Sequence, residues 1–439
     1  MTGKLTLNAN RDGFEREGKP FFYFADTVWS AFTNTPEDEW EPYLHYRRQQ
    51  GFNVLQISIL PILHDTSDTF TGAFPFVVEE DGTWNFFRID DAYFDQAERM
   101  VRAAKKYGFT CALVLLWSNF APDTIFSAGN RDRIMPEAAV ASYTTYVAER
   151  FAPYDPIYYV SGDTNFGSDR TIDFYMTALR ALKRAAPDAL ASMHLNGEET
   201  LGAERIANAP ELDFYAYQSC HFEERQHQCW TFAEAFLRKP VRRPVLNSEP
   251  LYEGHGHGNR YGRFDAFDVR KAFWWSVLSG AKAGFAYGAH GIFSWHRRGA
   301  AFTSEAWSKI PFDWRTALRF EGAWDAGYCK WLFERYGLWS VNPAQQLQVT
   351  PYDRIRTAAT PSLDTVVVYI PYSNDVELAV DLTGYRAELF DLAAKRTAVP
   401  DVDVSPHRMT STVRMYEGNG DTLFIATRER TGRPGIGND

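Results

Sequence analysis

The feature that most constrains the fold of this chain is an alternation, repeated eight times, between short apolar strand-like runs and helical periods. The predicted strands span residues 21–25, 53–59, 110–117, 156–160, 190–195, 213–218, 244–248 and 284–287. The third run is apolar almost throughout, which is typical of a parallel strand covered on both faces. Eight such units over about 340 residues favour a closed (β/α)8 TIM barrel, an α/β fold, over an open doubly wound sheet.

Helical periods separate these strands, and some carry their own start signals. The predicted helices span residues 91–107, 136–151, 168–186, 230–238, 269–281 and 324–336. A further helix follows the first strand, with Thr35 as its predicted N-cap and Pro36 as its first helical residue. The sequence contains no glycine-rich phosphate loop, which further disfavours the nucleotide-binding α/β folds.

The rhythm changes after Pro343, where helical periods give way to runs with a period of two. These strand-like runs span residues 345–350, 365–370, 376–382, 387–392, 412–416 and 421–427. Short strands separated by turn residues predict a small antiparallel β-sandwich. We therefore expect three parts: a barrel with a short N-terminal lead-in over residues 1–342, a β-sandwich over 343–430, and a disordered tail over 431–439.

The charge balance argues against two classes of partner. Lys and Arg number 46 against 56 Asp and Glu, a net charge of −10, whereas nucleic acids and anionic membranes require a basic surface. We therefore expect no nucleic acid and no membrane as a partner. The aromatic share of 16% suits clefts that stack sugar rings, although large cores use aromatic residues as well.

The sequence also indicates a location for the protein. Four cysteines are too few for a disulfide framework, and the chain starts without an apolar leader. No run of 18 apolar residues occurs. We expect a cytoplasmic protein, and the oligomeric state stays open, with a homo-oligomer compatible with the sequence.

Two carboxylates follow predicted strands directly. Asp163 comes at the end of the fourth strand and Glu249 at the end of the seventh. Each alone could be a helix cap or an ion-pair partner, because a buried carboxylate must be paired or used. The carboxyl ends of barrel strands surround one mouth, so both side chains are expected to face the same space.

A pair of carboxylates across a barrel mouth is typical of glycoside hydrolysis. One carboxyl gives a proton to the leaving oxygen, and the other attacks or stabilises the anomeric carbon. We predict Asp163 as the acid/base and Glu249 as the nucleophile. Glu253 is a rival for the second role, but Glu249 follows the apolar strand directly, whereas Glu253 lies farther into a glycine-rich loop.

Five segments at successive strand ends carry a resemblance to a known family. They are residues 24–29 (FADTVW), 47–58 (RRQQGFNVLQIS), 160–163 (VSGD), 217–221 (YQSCH) and 248–253 (SEPLYE). Together they resemble the apiosidase-like glycoside hydrolases, which join a barrel to a small C-terminal β-sandwich described by analogy as collagen-binding. This family is similar to the large clan of retaining (β/α)8 glycosidases.

The resemblance implies a retaining glycosidase with an Asp acid/base and a Glu nucleophile, which correspond to Asp163 and Glu249. It also implies exo-action on a terminal pentofuranose, such as apiose or arabinofuranose, in an oligosaccharide or glycoside. One departure concerns the end of the fourth strand. Most of the clan has Asn-Glu there, whereas this chain has Gly162-Asp163, so the usual Asn contact to the sugar must come from elsewhere or be absent.

Seven further residues follow the barrel strands and are predicted to bind substrate. They are Asp26, Trp29, Gln56, Trp117, Tyr217, His221 and Trp295. Asp26 could instead cap a helix, and Tyr217 could be a core ring with a satisfied hydroxyl. Because a tyrosine often holds the nucleophile in this clan, the resemblance implies that role for Tyr217. Trp295 is expected to form an aromatic platform.

Two groups of residues could suggest a metal site, namely His255 with His257, and His221 with His227 and Cys229. Neither group has the spacing of a closed zinc site. Retaining hydrolysis needs no metal either, so we expect no metal and no cofactor.

The competing hypothesis is a noncatalytic carbohydrate- or protein-binding protein on a degenerate barrel. Binding alone does not require two acids that face one bond, so the pair of carboxylates favours the enzyme.

Overall fold

The computed structural model describes residues 3–70, 72–219, 221–258, 261–416 and 420–428. The chain divides into two compact units, one formed by Met1–Val277 with Ala281–Trp331 and the other by Leu278–Gly280 with Leu332–Asp439. The boundary between the two units, at Trp331 and Leu332, therefore lies earlier in the chain than residue 342, the end of the barrel that the change of rhythm predicts. The predicted tail, 431–439, lies outside the described residues.

The first unit is built on a parallel sheet of eight strands. The strands of the whole unit, in chain order, are β1 Leu5–Leu7, β2 Phe14–Arg16, β3 Lys19–Phe21, β4 Tyr23–Thr27, β5 Val54–Ser58, β6 Phe76–Val78, β7 Trp84–Ile89, β8 Thr110–Trp117, β9 Ile157–Gly162, β10 Ala191–Ser192, β11 Tyr215–Gln218, β12 Val245–Glu249 and β13 Gly284–Tyr287. The barrel strands lie in the order β10-β9-β8-β5-β4-β13-β12-β11. The predicted (β/α)8 barrel is therefore confirmed.

The ring closes through the segments around its two end strands, β10 and β11. The Asp213 amide donates to the carbonyl of Ala191 at 2.9 Å. The Ser192 hydroxyl donates to the carbonyl of Phe214 at 2.7 Å. These bonds bring the two ends of the sheet together and make a nearly closed barrel.

Helices connect the strands, as the alternation predicts. They are α1 Ala31–Asn34, α2 Glu37–Gln49, α3 Asp91–Lys106, α4 Glu137–Phe151, α5 Asp169–Ala185, α6 Glu204–Ala207, α7 Gln228–Leu237, α8 Ala266–Val277, α9 Glu305–Ser308, α10 Trp314–Ala317 and α11 Glu321–Arg335. The α5 helix begins after Ser168, whose hydroxyl accepts from the amide of Thr171. The α2 helix begins after Pro36, so the predicted Thr35 cap is wrong by one residue.

A register shift in the barrel decides which side chains face the mouth. In the β11–β12 pair, Tyr217 lies opposite Asn247, but the next residue, Gln218, lies opposite Glu249. Ser248 is the extra residue of this bulge. The bulge therefore places Gln218 beside the predicted nucleophile.

Two short pieces of the first unit are absent from the predicted pattern. The N-terminal lead-in forms the three-stranded sheet β1-β2-β3, and β6 pairs with β7 as a hairpin between β5 and α3. Four of these five strands have three residues, which is too short to give a clear period, and β7 has six. No helix in the described part of the chain is long and apolar enough to cross a membrane.

The second unit contains the predicted antiparallel strands. They are β14 Asn342–Pro343, β15 Arg356–Ala359, β16 Thr365–Ile370, β17 Val376–Leu378, β18 Tyr385–Asp391, β19 Arg396–Ala398, β20 Asp401–Ser405, β21 Thr410–Arg414 and β22 Thr422–Arg428. One sheet has the order β14-β15-β16-β22-β18-β19, and the other has the order β17-β21-β20. The first predicted strand of this unit is wrong, because Gln345–Leu347 forms a single 3-10 turn.

Candidate active site

A cavity of about 410 Å³ opens at the carboxyl ends of the barrel strands. It is lined by Trp29, Ile62, His64, Asp65, Trp117, Ile125, Phe126, Asp163, Asn196, Gly197, Glu198, Gln218, His221, Phe222, Glu249, Tyr252, His255, Phe293, Ser304 and Trp307. Asp163 and Glu249 thus face the same cavity. A mostly apolar wall with a few convergent polar groups is typical of a small-molecule site.

Glu249 ends β12, and polar side chains surround its carboxylate, with the hydrogen bonds concentrated on Oε1. Gln218 Nε2 donates to Oε1 at 2.7 Å, and His221 Nε2 lies 2.8 Å from the same oxygen. His194 Nε2 lies 3.1 Å from Oε2 in an oblique contact. The Tyr252 hydroxyl also interacts with this carboxylate and accepts a hydrogen bond from Trp29 Nε1 at 2.8 Å.

These contacts keep Glu249 ionised although it is buried. Burial raises the pKa of the Glu249 carboxyl, but the hydrogen bonds and electrostatic attraction of His194 and His221 bring that pKa well below its usual value. A carboxylate that accepts several hydrogen bonds favours its charged form. Glu249 is therefore present as an anion at neutral pH, in the state that a nucleophile needs.

Asp163 follows β9 in a left-handed backbone conformation, with φ of 53°. Asp adopts this region more readily than most residues with a side chain. Its Oδ2 atom lies 3.0 Å from His64 Nε2, and both side chains are 14% exposed. The acid/base candidate is thus partly shielded from water but still open to the cavity.

His194 connects the two candidate catalytic residues. The backbone amide of Asp163 donates to His194 Nδ1 at 3.3 Å, which leaves the Nε2 hydrogen of this fully buried ring facing Glu249. One imidazole therefore spans the space between the end of β9 and the end of β12. It therefore contacts both candidate residues.

The structure explains the glycine before Asp163. Trp117 lies beside Gly162 in the β8–β9 pair, and a Cβ atom on Gly162 would be 2.3 Å from the Trp117 ring. An Asn side chain, which most of the clan has at this position, has no room here. Trp117 occupies that space and forms part of the cavity wall.

The structure brings five of the sequence-predicted residues to the cavity, namely Asp163, Glu249, Trp29, Trp117 and His221. Their shared property is a position on or just after the carboxyl end of a barrel strand.

Two predicted binding residues, Asp26 and Gln56, lie outside the cavity lining and are fully buried. The Asp26 carboxylate pairs with Arg47 Nε and accepts from the Tyr43 hydroxyl, both at 2.6 Å. Gln56 donates to the carbonyl of Ser248 at 2.9 Å. Asp26 therefore neutralises a buried arginine, and Gln56 supports the strand end beneath Glu249.

Tyr217 and Trp295 also lie outside the cavity lining. The Tyr217 hydroxyl donates to the carbonyl of Cys229 at 2.7 Å, so the structure does not bring it to Glu249. Trp295 is fully buried and donates to Glu39 Oε2 at 2.8 Å. Tyr252 contacts the carboxylate in place of Tyr217.

Glu253, the rival carboxylate, does not line the cavity either. It accepts hydrogen bonds from the Tyr287 hydroxyl at 2.6 Å and from the Gly322 amide at 3.0 Å. Burial raises the pKa of Glu253 to about 7, against the lowering effect of these two bonds. Its contacts tie the loop after β12 to the start of α11.

Four residues that contact the two candidate carboxylates or the backbone beside them were not predicted from the sequence: His64, His194, Gln218 and Tyr252. Tyr252 and Gln218 lie within the quoted family segments, so their neighbourhood did carry a signal. His194 lies in the predicted fifth strand, and its polarity in an apolar run could have identified it. His64 is in a loop, where no period fixes the direction of a side chain.

The two histidine groups that could suggest a metal site do not form such a site among the described residues. No cluster of three or more His, Cys, Asp or Glu side chains suited to a metal occurs among the described residues. His255 lines the cavity, whereas the His257 ring packs on Phe264 at 4.6 Å.

Comparisons with known proteins show the family and the fold of the barrel. The apiosidase-like catalytic domain matches residues 9–340. One solved glycoside hydrolase has a TM-score of 0.80 at 21% identity over 97% of each chain. A glycoside hydrolase family 5 structure from Bacteroides vulgatus ATCC 8482 has a TM-score of 0.79 at 21% identity, over 97% of this chain and 93% of that one.

A glycoside hydrolase family 5 mannosidase from Rhizomucor miehei is more distant, with a TM-score of 0.52 at 10% identity over 76% of this chain and 99% of that chain. No curated protein sequence matches the chain. At these identities the solved structures establish the shared barrel fold alone, and the domain match establishes the family.

Proposed function

Because this chain belongs to the apiosidase-like family, whose barrel is that of the glycoside hydrolases, we propose that it is a retaining exo-glycosidase. Its substrate is an oligosaccharide or glycoside that ends in a pentofuranose such as apiose or arabinofuranose. The observation that carries the proposal is the ionised Glu249 in one cavity with Asp163. A noncatalytic binding protein has no need of that pair.

In the first step, a Glu249 oxygen attacks the anomeric carbon and the bond from that carbon to the leaving oxygen breaks. Asp163 gives its proton to the leaving oxygen, so an alcohol departs and a glycosyl ester remains on Glu249. The donors around Glu249 orient its carboxylate for this attack. Because Gln218 and His221 both contact Oε1, Oε2 is the less occupied oxygen and the better candidate for bond formation.

In the second step, Asp163 acts as a base. It takes a proton from water while the water oxygen attacks the anomeric carbon and the ester bond to Glu249 breaks. The sugar leaves with its original anomeric configuration. Asp163 is protonated again and Glu249 is ionised again, so both groups return to their starting states.

The cavity supports a small terminal sugar as the bound unit. A volume of about 410 Å³ is at the lower end of ordinary ligand pockets, which range over roughly 300–1,000 Å³. Trp29, Trp117 and Trp307 offer rings for the apolar face of a sugar, and Asp65 and Asn196 offer acceptors for its hydroxyls. The choice of a pentofuranose comes from the family.

A panel of aryl furanosides and pyranosides tests the proposal on the wild type and on Asp163→Ala and Glu249→Ala variants. We expect release of the phenol from an apioside or arabinofuranoside by the wild type, with retention in the NMR spectrum of the first-formed sugar. Binding of sugars without cleavage of any panel member would favour the degenerate-barrel alternative. A first product of inverted configuration would refute the retaining mechanism.

A further inference from the structure

We propose that His64 is a positioning residue for Asp163 and shares with it the proton that is delivered to the leaving oxygen. The inference rests on the proposed function, because it concerns the acid/base of that reaction. It adds a residue from the loop after β5 to the acid side of the site. The arguments are the position of the ring, the number of protons in the pair and the short side chain of Asp163.

The His64 ring is fixed on three sides. Nε2 lies 3.0 Å from Asp163 Oδ2, and Nδ1 lies 3.0 Å from Asn119 Oδ1. Phe126 stacks on the ring with centroids 3.6 Å apart and planes 6° apart. With 14% of the His64 side chain exposed, the ring has little freedom to turn away from Asp163.

The contact to Asn119 determines where the protons lie. In the assigned orientation of the amide, the Asn119 oxygen can only accept, so His64 Nδ1 carries a hydrogen. Nε2 and Asp163 Oδ2 then hold one further proton between them. The pair is either imidazolium with carboxylate or imidazole with carboxylic acid, and the second form has the proton on Asp163, ready for the leaving oxygen.

The charges around His64 favour retention of that proton. Burial lowers the pKa of His64, but the hydrogen bond and charge of Asp163, together with the charge of Asp65 and the bond to Asn119, raise it above its usual value. The rings of Phe126 and Trp117, which carry no charge, also lie beside it. Asp163 and Asp65 are thus the charged groups that face the imidazole.

The Asp163 side chain is short, and the hydrogen bond with His64 directs it toward the cavity. Asp is one methylene shorter than the Glu that most of the clan uses, and it leaves β9 in a left-handed conformation. A hydrogen bond to one carboxylate oxygen limits rotation of the group and directs the other oxygen to the cavity. A misplaced proton donor loses efficiency even when its chemistry is intact.

The test compares His64→Gln, which keeps a hydrogen-bonding group without a titratable ring, with His64→Phe, which keeps a ring without the hydrogen bond. The matched control is His45→Gln, because His45 is exposed and bonds to Gln49 on the barrel surface. Each protein is assayed on the dinitrophenyl and the unsubstituted phenyl glycoside of one sugar. The first leaving group needs no proton, and the second does.

We expect kcat/KM of both His64 variants to fall about 10- to 100-fold on the phenyl glycoside and less than about threefold on the dinitrophenyl glycoside. The alkaline limb of the pH profile should move to lower pH by about one unit in His64→Gln, because the limb belongs to the pair rather than to either group alone. The control should match the wild type. Equal losses on both substrates, with an unmoved limb, would show a merely structural role.

A second measurement depends neither on the His64 variants nor on turnover. In wild-type protein labelled with ¹⁵N-histidine, the His64 resonances should titrate at higher pH than in Asp163→Asn, where the partner charge is gone. An unchanged His64 titration would overturn the inference. If the wild type cleaves no glycoside, the proposed function fails, but the coupling of His64 with Asp163 is still decided by this spectrum.

Discussion

The two sides of the candidate active site hold their carboxylates in different ways. Glu249 is at the end of a barrel strand, 6% of its side chain is exposed, Gln218 and His221 contact Oε1, and His194 Nε2 lies 3.1 Å from Oε2. Asp163 is in the turn after its strand, 14% exposed, with His64 as its side-chain hydrogen-bond partner. Several polar neighbours favour a carboxylate that stays ionised, whereas a single partner that can itself hold a proton allows a proton to be exchanged between the two groups.

The largest expected effect is the loss of turnover when Glu249 is removed. Chemical rescue with azide then distinguishes the roles of Glu249 and Asp163 by the configuration of the product. Glu249→Ala should lose at least about 10⁴-fold in kcat, because the covalent step has no nucleophile. Azide should then attack from the vacated face and give a glycosyl azide of inverted configuration. In Asp163→Ala, azide should react with the intact glycosyl ester and give the retained configuration. NMR of the two products checks this, and identical configurations would mean that the roles are misassigned.

The donors around Glu249 should set the acidic limb of activity. His221→Phe removes a hydrogen bond and charge that lower the pKa of Glu249, so this pKa rises and the acidic limb of kcat/KM should move to higher pH, by about one unit. Asp163→Ala should leave the acidic limb in place. The pH profiles of both variants on a dinitrophenyl glycoside provide the measurement. An acidic limb that does not respond to His221 would belong to another group.

The same contacts should make the fold sensitive to acid. A carboxyl with a lowered pKa stabilises the folded protein above its unfolded pKa, about 4.3, and this contribution is lost as the pH falls toward its folded pKa. The wild type should therefore lose more stability than His221→Phe between about pH 5 and 3.

The packing of Trp117 on Gly162 should have a smaller effect, mainly on stability. In Gly162→Ala the new methyl group meets the Trp117 ring, and overpacking of this kind costs about 1–3 kcal/mol. Denaturant unfolding gives the free energy, and tryptophan fluorescence reports the displaced ring. The matched control is Gly129→Ala, because the space around a Cβ atom at this position is open. Equal stability of the two variants would contradict the close contact.

The smallest effect on catalysis is expected at Tyr217. Tyr217→Phe removes the hydroxyl that bonds to the Cys229 carbonyl, at a cost of about 1–3 kcal/mol in stability for the acceptor left unpaired. KM and the pH profile should stay those of the wild type, since this hydroxyl does not contact Glu249. Tyr252→Phe, by contrast, should lower kcat. A loss of turnover in Tyr217→Phe without loss of stability would instead support the predicted role of Tyr217 beside Glu249.

Much of the barrel could be predicted because its signals are local and repeated. The third and eighth strands, 110–117 and 284–287, have the predicted bounds. The two carboxylates could be found because the carboxyl ends of barrel strands share one mouth. The apiosidase-like resemblance is confirmed by the matching domain.

The errors share a physical cause: position at a strand end does not fix the direction of a side chain. The bulge at Ser248 changes the register, so Gln218 rather than Tyr217 lies opposite Glu249. Arg47, which the pattern places only on a helix, needs a buried counter-ion and takes Asp26. Long-range pairings of this kind depend on tertiary contacts that a single sequence does not display.

The contacts of Glu253 have a consequence for the behaviour of the protein in alkali. The pKa of Glu253 in the folded protein is raised to about 7. Its contribution to the free energy of unfolding is therefore fully present below its unfolded pKa and is lost as the pH rises through its folded pKa. Ionisation would place a negative charge beneath the segment that follows the nucleophile, between Tyr287 and Gly322. Long incubation in mildly basic buffer should therefore inactivate the protein first by loosening this segment, and a Glu253→Gln preparation should keep better.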